Sequence, residues 1–163
     1  VARTIDSNRA HLKETLERAV HTPGAALVEI YQNCPIFNDN AFDGLKHDPE
    51  GIISLRDGEP IVFGEDGERC VVRGPNGTML VANTADVKPQ DIVVHDVKLA
   101  SPAQAFEISR LTDSGVLHQA PIGVFRDVER PAYDDAVRHQ VSIPQDREDS
   151  LQEYITGKIT WEV

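Results

Sequence analysis

A short apolar run at residues 25–31 (AALVEIY) constrains the fold more than any other feature of the chain. Its apolar residues do not alternate with polar ones, a pattern typical of a strand buried on both faces of a parallel sheet. The breakers Pro23 and Gly24 precede it. An amphipathic helix is predicted before these breakers, because four apolar residues recur at helical spacing. They are Leu12, Leu16, Ala19 and Val20. Helix, turn and strand together indicate one unit of an α/β layered fold.

The rest of the chain differs from this unit in composition and in its pattern of apolar residues. Residues 35–51 are rich in Pro, Gly, Asn and Asp, which predicts an irregular loop or a short helix. From residue 52 onwards, short runs predict strands, and turns such as GEDG join them. The predicted strands are IISL, PIVF, RCVVR, TMLVA and DIVVHD. Further elements are predicted beyond them: a helix from Ser101, a strand at 121–125 and a helix after Pro131.

This pattern predicts an α/β fold in three parts. Residues 1–45 form the end of a parallel sheet, and residues 46–142 form a β-rich portion that also contains helices. Residues 143–163 form an acidic tail or an arm that packs on a partner. A parallel sheet needs several βα units. Because the chain offers only part of one at its start, we expect the remainder of that sheet to lie outside this chain.

Composition limits the classes of partner. The formal net charge is −11, and the acidic residues are spread along the chain. This argues against nucleic acid or an anionic membrane as the main partner, because both attract a basic surface. No apolar run approaches the roughly 18 residues of a membrane-spanning helix. The two cysteines, Cys34 and Cys70, form no disulfide framework, which favours a reducing compartment.

Cys34 is the residue most suited to chemistry. It lies just beyond the carboxyl end of the predicted strand, where ligands bind in open α/β sheets. A thiolate there is either a nucleophile or a metal ligand. A buried, inert cysteine is the alternative, and this is what the alternating context of Cys70 predicts. No C-x-x-C motif and no paired-histidine motif supplies further metal ligands.

The chain contains Asp-Gly pairs at residues 57–58 and 66–67, and such a pair is part of one cofactor motif. Thiamin diphosphate enzymes use G-D-G followed some distance later by Asn, and these residues hold Mg²⁺ through oxygen ligands. Residues 56–58 (RDG) precede Asn83 at a tolerable distance, but Arg56 replaces the first glycine. The surrounding short strands predict a turn glycine instead.

Several stretches resemble the β subunit of 2-oxoacid:ferredoxin oxidoreductases of the 2-oxoglutarate type. Residues 32–39 (QNCPIFND) are similar to the family's P-C-x-T-F-N-type motif at the Cys, Phe and Asn. Residues 58–64 (GEPIVFG) and 122–135 (IGVFRDVERPAYDD) resemble its carboxyl-terminal portion. The resemblance extends over residues 1 to about 140. Asn40 departs from the glycine often found there in the family.

The resemblance implies a fold, a ligand and cofactors. The fold is the end of a thiamin diphosphate-binding α/β domain followed by a β-rich carboxyl-terminal portion. Cys34 matches the fourth cysteine ligand of the family's [4Fe-4S] cluster. The other three ligands, and the G-D-G…N motif for thiamin diphosphate and Mg²⁺, belong to an amino-terminal half of the subunit that this chain does not contain.

The resemblance also implies an activity. The parent enzyme performs the coenzyme A-dependent oxidative decarboxylation of a 2-oxo acid in the cytoplasm and passes electrons to ferredoxin. The β subunit forms a heterodimer with an α subunit, to which the family's proton relay is attributed. We therefore assign no catalytic acid or base to this chain and expect it to be inactive alone. Two alternatives remain: a small acidic protein-binding domain without catalysis, and a cysteine-dependent hydrolase.

Overall fold

The computed structural model describes residues 1–112, 117–143 and 151–157. The chain divides into two units, Val1–Glu129 and Arg130–Val163. The strands of the first unit are β1 Ala2–Ile5, β2 Val28–Tyr31, β3 Ile52–Leu55, β4 Val62–Phe63, β5 Arg69–Arg73, β6 Met79–Asn83 and β7 Ala120–Val124. Its helices are α1 Arg9–Val20, α2 Asp43–His47 and α3 Ala103–Ser109.

The larger sheet is mixed and has the strand order β2-β1-β7-β3. β1 pairs parallel with β2, β3 pairs parallel with β7, and β1 and β7 are antiparallel. Helix α1 connects β1 to the parallel strand β2, as in an α/β unit. The arrangement confirms the predicted α/β fold class and agrees with part of a thiamin diphosphate-binding fold.

Strand β2 is shorter and more exposed than the sequence predicts. It starts at Val28, and Leu27 and Ile30 are 65% and 38% exposed. The predicted burial on both faces is wrong for these residues, because β2 is the outer strand of the sheet in the described part of the chain. The side chain of Tyr31, at its carboxyl end, is buried.

Helix α1 is confirmed, but its apolar side does not face the described core. The side chain of Asn8 caps the helix by accepting a 3.1 Å hydrogen bond from the His11 backbone amide. The side turned to the sheet carries Thr15, which is buried, and His11, whose Nδ1 lies 2.8 Å from Thr4 Oγ1. Leu16, in contrast, is 41% exposed.

The smaller sheet is an antiparallel meander in the order β4-β5-β6. Gly64 and Gly67 have positive φ in the β4–β5 turn, as the GEDG motif predicts. The predicted strand DIVVHD forms only two isolated bridges, through Ile92 and Val94. Residues from both sheets and α3 form the main core: Ile53, Leu55, Ile61, Phe63, Val71, Val93, Ile108 and Phe125 among them.

A second core lies where β1, β2 and β7 meet α2. It contains the buried residues Ile5, Tyr31, Leu45, Ala120 and Ile122. This core supports the end of β2, from which the Cys34 loop departs.

The second unit contains the helices α4 Tyr133–Ser142 and α5 Leu151–Thr156. The predicted helix after Pro131 is confirmed as α4, in which Arg138 contacts Asp134 at 2.8 Å and Asp135 at 3.1 Å. The predicted tail or arm at 143–163 lies largely outside the described residues. None of the helices in the described ranges has the length and apolar character needed to cross a bilayer.

Candidate functional site

The candidate site is the loop that follows β2 and begins at Cys34. The thiol is partly exposed, three residues beyond the strand end. The Asn38 backbone amide donates a 2.9 Å hydrogen bond to the Cys34 carbonyl, which closes a tight turn over residues 34–38. The structure thus places Cys34 at the carboxyl end of a parallel strand, as the sequence predicts.

Backbone amides of this turn affect the ionisation of the Cys34 thiol. Hydrogen bonds from the amides of Phe37, Ile36 and Asn38 lower the pKa of the Cys34 thiol. Partial burial and the Asp39 carboxylate act in the opposite direction. The net lowering of the pKa favours the thiolate, which is the form that binds metals and reacts as a nucleophile.

The side chain of Asn33 holds the two ends of the loop together. Its Nδ2 donates a 2.9 Å hydrogen bond to Asp39 Oδ1, and its Oδ1 accepts a 2.8 Å hydrogen bond from the Asn40 amide. Asn40 has a φ of 62°, a left-handed conformation that glycine adopts freely and asparagine tolerates. This conformation explains how Asn40 occupies a position where the resembled family often has glycine.

Aromatic and cationic groups anchor the strand beneath the loop. The Tyr31 ring stacks on Phe42 with centroids 4.6 Å apart. The Arg3 guanidinium lies 5.1 Å from the ring centroids of both Tyr31 and Phe125, and its Nε is 2.7 Å from a Glu29 carboxylate oxygen. These contacts fix the end of β2 and therefore the point where the loop begins.

The described residues bring no complete set of metal ligands together at this loop. They contain no group of three or more His, Cys, Asp or Glu side chains that could hold a metal ion. Cys70 is fully buried in β5, in agreement with its predicted place in the core. A single thiolate with amide donors fits one corner of an iron–sulfur cluster, provided that other thiolates come from elsewhere.

The Asp-Gly motif forms a hydrogen bond with the backbone, as expected of a turn. Asp57 Oδ1 accepts a 3.0 Å hydrogen bond from the Val97 amide. The Asn83 side chain accepts one of 3.0 Å from the Ala85 amide and caps a short 3₁₀ helix. These two side chains therefore stabilise local structure, and the described residues do not form a thiamin diphosphate motif.

Three histidines have contacts that serve local structure. His11 contacts Thr4, the Nδ1 of His21 lies 2.7 Å from the Glu17 carbonyl oxygen, and the Nε2 of His95 lies 2.7 Å from the Val124 carbonyl oxygen. None of these contacts pairs a histidine with Cys34. They give no support to a cysteine-dependent hydrolase, whose thiol needs a base within hydrogen-bonding reach.

A polar cleft of about 550 Å³ lies beside α1 and could not be predicted from the sequence. It lies between the helix and strands β3 and β7, with Arg18 and Asp57 among its lining residues. Arg18 is paired with Asp127 at 2.7 Å, and Asp57 is bonded to backbone. No sequence motif marks these residues, because they come from separate elements.

The chain is similar in sequence to a curated protein. Over 169 aligned positions the chain is 47% identical to the 2-oxoglutarate oxidoreductase subunit KorB of Mycobacterium tuberculosis. The alignment includes 100% of this chain and 45% of that subunit, so the chain spans less than half the length of the relative. No protein-family model and no solved structure matches the chain.

Proposed function

Because the chain is homologous to the carboxyl-terminal part of KorB, a subunit of 2-oxoglutarate oxidoreductase, we propose that it works as a segment of such an enzyme. The observation that carries this proposal is the 47% identity, which extends over the whole chain. The Cys34 loop is the part of the segment with functional chemistry.

The proposed reaction is the coenzyme A-dependent oxidative decarboxylation of a 2-oxo acid resembling 2-oxoglutarate, with ferredoxin as electron acceptor. When bound, thiamin diphosphate with Mg²⁺ supplies the carbanion chemistry and a [4Fe-4S] cluster supplies one-electron transfer. In this proposal the amino-terminal half of the subunit holds the thiamin cofactor and its Mg²⁺, and the proton relay belongs to the α subunit. No catalytic acid or base is therefore assigned to this chain.

Cys34 supplies one ligand of the [4Fe-4S] cluster in this proposal. Two features support it: the thiol is partly exposed, and the backbone amides of the turn lower its pKa. Amide donors stabilise negative charge on cysteine sulfur, which is how proteins tune such clusters. The position of the loop at the carboxyl end of β2 leaves the sulfur accessible to ligands from another segment.

Iron and sulfide analysis of the complete subunit carrying Cys34→Ser tests this role. We expect most of the cluster iron to be lost, because a cubane cluster usually requires four thiolates. Cys70→Ala serves as the control and is expected to keep its iron, since Cys70 lies buried in the other sheet. Unchanged iron and sulfide in Cys34→Ser would overturn the ligand role and favour the acidic protein-binding domain as the alternative.

The proposed partners follow from the same relationship. They are an α subunit in a heterodimer, an amino-terminal half of the β subunit and ferredoxin, in the cytoplasm. The isolated chain is expected to show no oxidoreductase activity, because the described residues offer neither a complete cluster site nor a thiamin diphosphate motif. Activity assays with and without the amino-terminal half measure this directly.

A further inference from the structure

We propose that the Asp39 carboxylate lowers the reduction potential of the cluster that Cys34 helps to hold, and that Asn33 is a positioning residue that fixes this carboxylate in place. The proposal rests on the proposed function, because it takes Cys34 as one cluster ligand. It adds a role for two side chains that are not ligands themselves. Neither is a catalytic residue, since both act on the electron carrier from outside its ligand set.

The side chain of Asp39 is anchored although the residue is exposed. Asn33 Nδ2 donates a 2.9 Å hydrogen bond to Asp39 Oδ1, while Asn33 Oδ1 accepts one of 2.8 Å from the Asn40 amide. Because both ends of the Asn33 amide group are bonded, it cannot rotate without breaking one of these hydrogen bonds. The Asp39 carboxylate therefore has a defined position beside the loop.

The anchor keeps the carboxylate close to the cluster ligand. Asn33 directly precedes Cys34, so their Cα atoms are about 3.8 Å apart. The Asn33 side chain spans about 4 Å, and its hydrogen bond to Asp39 adds 2.9 Å. The Asp39 oxygen thus lies within about 10 Å of the Cys34 Cα. This separation is no longer than the screening length of about 10 Å at 0.1 M salt.

The charge of Asp39 is not compensated within the described part of the chain. None of the salt bridges there includes Asp39. Lys46, the lysine nearest to it in the sequence, lies 3.4 Å from Asp6 instead. The anchor itself is a neutral amide, which holds the carboxylate without cancelling its charge. Only solvent screening weakens its action on the Cys34 sulfur.

A fixed negative charge at this distance opposes the arrival of an electron. Reduction of a cluster held by thiolates increases its negative charge, and repulsion from a nearby carboxylate makes that increase less favourable. The charge around a cluster is one of the properties through which a protein sets its reduction potential. Asp39 therefore lowers the potential, which favours onward transfer of the electron to the proposed acceptor, ferredoxin.

A redox titration monitored by electron paramagnetic resonance tests this role in the complete subunit bound to its α subunit. Asp39→Asn removes the charge but keeps an oxygen that can accept the hydrogen bond from Asn33. We expect its iron content to be unchanged and its reduction potential to be more positive than that of the wild type. Asp39→Glu retains the charge and is expected to restore most of the wild-type potential.

Ionic strength distinguishes a charge effect from a change in loop structure. The screening length falls from about 10 Å at 0.1 M salt to about 3 Å at 1 M. The difference in potential between wild type and Asp39→Asn is therefore expected to shrink over this range. A distorted loop would instead give a difference that does not depend on salt.

Asp66→Asn is the matched control, because Asp66 is an exposed aspartate in the β4–β5 turn of the smaller sheet. It removes the same charge and is expected to leave the potential unchanged. The role of Asp39 would be overturned by an unchanged potential in Asp39→Asn, by a loss of iron from that variant, or by a shift that is independent of salt. An equal shift in Asp66→Asn would also overturn it.

The iron analysis of Cys34→Ser separates this role from the proposed function. Iron retained by Cys34→Ser overturns the ligand role of Cys34, and the role of Asp39 falls with it. If Cys34→Ser loses its iron while Asp39→Asn keeps the wild-type potential, the ligand role stands and the role of Asp39 fails alone.

Discussion

At the residue scale, the Cys34 site depends on contacts within its loop that the local sequence does not predict. The position of Cys34 after a strand is readable from the sequence, because an apolar run ends just before it. The lowering of the thiol pKa by backbone amides cannot be predicted from the sequence, since any residue except proline has a backbone amide. The role of Asn33 is equally hidden, because its partners Asp39 and Asn40 become neighbours only when the loop closes.

Replacement of Asn33 by alanine is predicted to loosen the loop without unfolding the chain. The variant loses two side-chain hydrogen bonds of 2.8–2.9 Å, each contributing about 1 kcal/mol. Hydrogen exchange of the amides at 36–38 and 40 is expected to accelerate about ten-fold. Gln32→Ala, at an exposed neighbouring position, is the control. Unchanged exchange in Asn33→Ala would show that the loop holds its shape by other means.

Asp127 is predicted to contribute a pH-dependent stabilisation. A hydrogen bond from Arg18, assisted by Lys98, lowers the pKa of its carboxyl in the folded chain. The contribution is therefore complete above the unfolded pKa of about 3.9 and is lost as the pH falls through the lower folded pKa. Asp127→Asn is expected to cost at most about 1 kcal/mol at neutral pH, measured by urea unfolding.

The difference between wild type and Asp127→Asn is expected to shrink as the pH falls below 3.9. Lys13→Ala supplies the comparison, because Lys13 and Glu17 form an exposed pair 3.5 Å apart on the same helix. It is expected to change the free energy of unfolding by less than about 0.5 kcal/mol. A pH-independent loss in Asp127→Asn would mean that packing, and not charge, explains its effect.

At the element scale, local patterns predicted helices and hairpins better than strand neighbours. Pro23 and Gly24 mark the end of α1, and GEDG marks the β4–β5 turn. Strand β1 was not predicted, because the polar residues Arg3 and Thr4 interrupt its apolar pattern. Their side chains are in fact occupied by aromatic rings and by His11, which come from other elements. Which side of α1 would be covered was likewise undetermined, since it depends on neighbours beyond the helix.

Gly123→Ala is predicted to destabilise the junction of β7 and β3. Gly123 has a φ of 139°, and an added Cβ would lie 2.7 Å from the Leu55 carbonyl oxygen. Strained backbone of this kind costs about 1–3 kcal/mol, observable as a lower urea midpoint with an unchanged slope. Gly58→Ala is a matched control with φ of 78° and no atom within 4 Å of its Cβ. An equal loss of stability in both variants would show that the positive φ, and not the contact with Leu55, causes the destabilisation.

At the scale of the whole molecule, the predicted fold class is confirmed and the homology to KorB explains the resemblance in residues 32–39. The order of the larger sheet was beyond sequence reasoning, since β1 pairs with a strand about 120 positions later in the chain. Such pairings are decided by packing and leave no local signal. The ligand role of Cys34 likewise depends on residues outside this chain and stays a prediction.

The central position of β7 has a consequence for the order of events during synthesis. β7 is the last strand of the first unit to leave the ribosome, yet it lies between β1 and β3. The pair β1–β2 can form early, but the sheet cannot close until residue 124 has emerged. In a nascent chain that stalls before residue 120, the β1–β2 pair and the single strand β3 therefore stay unjoined with unpaired edges, which makes the chain a natural substrate for chaperones.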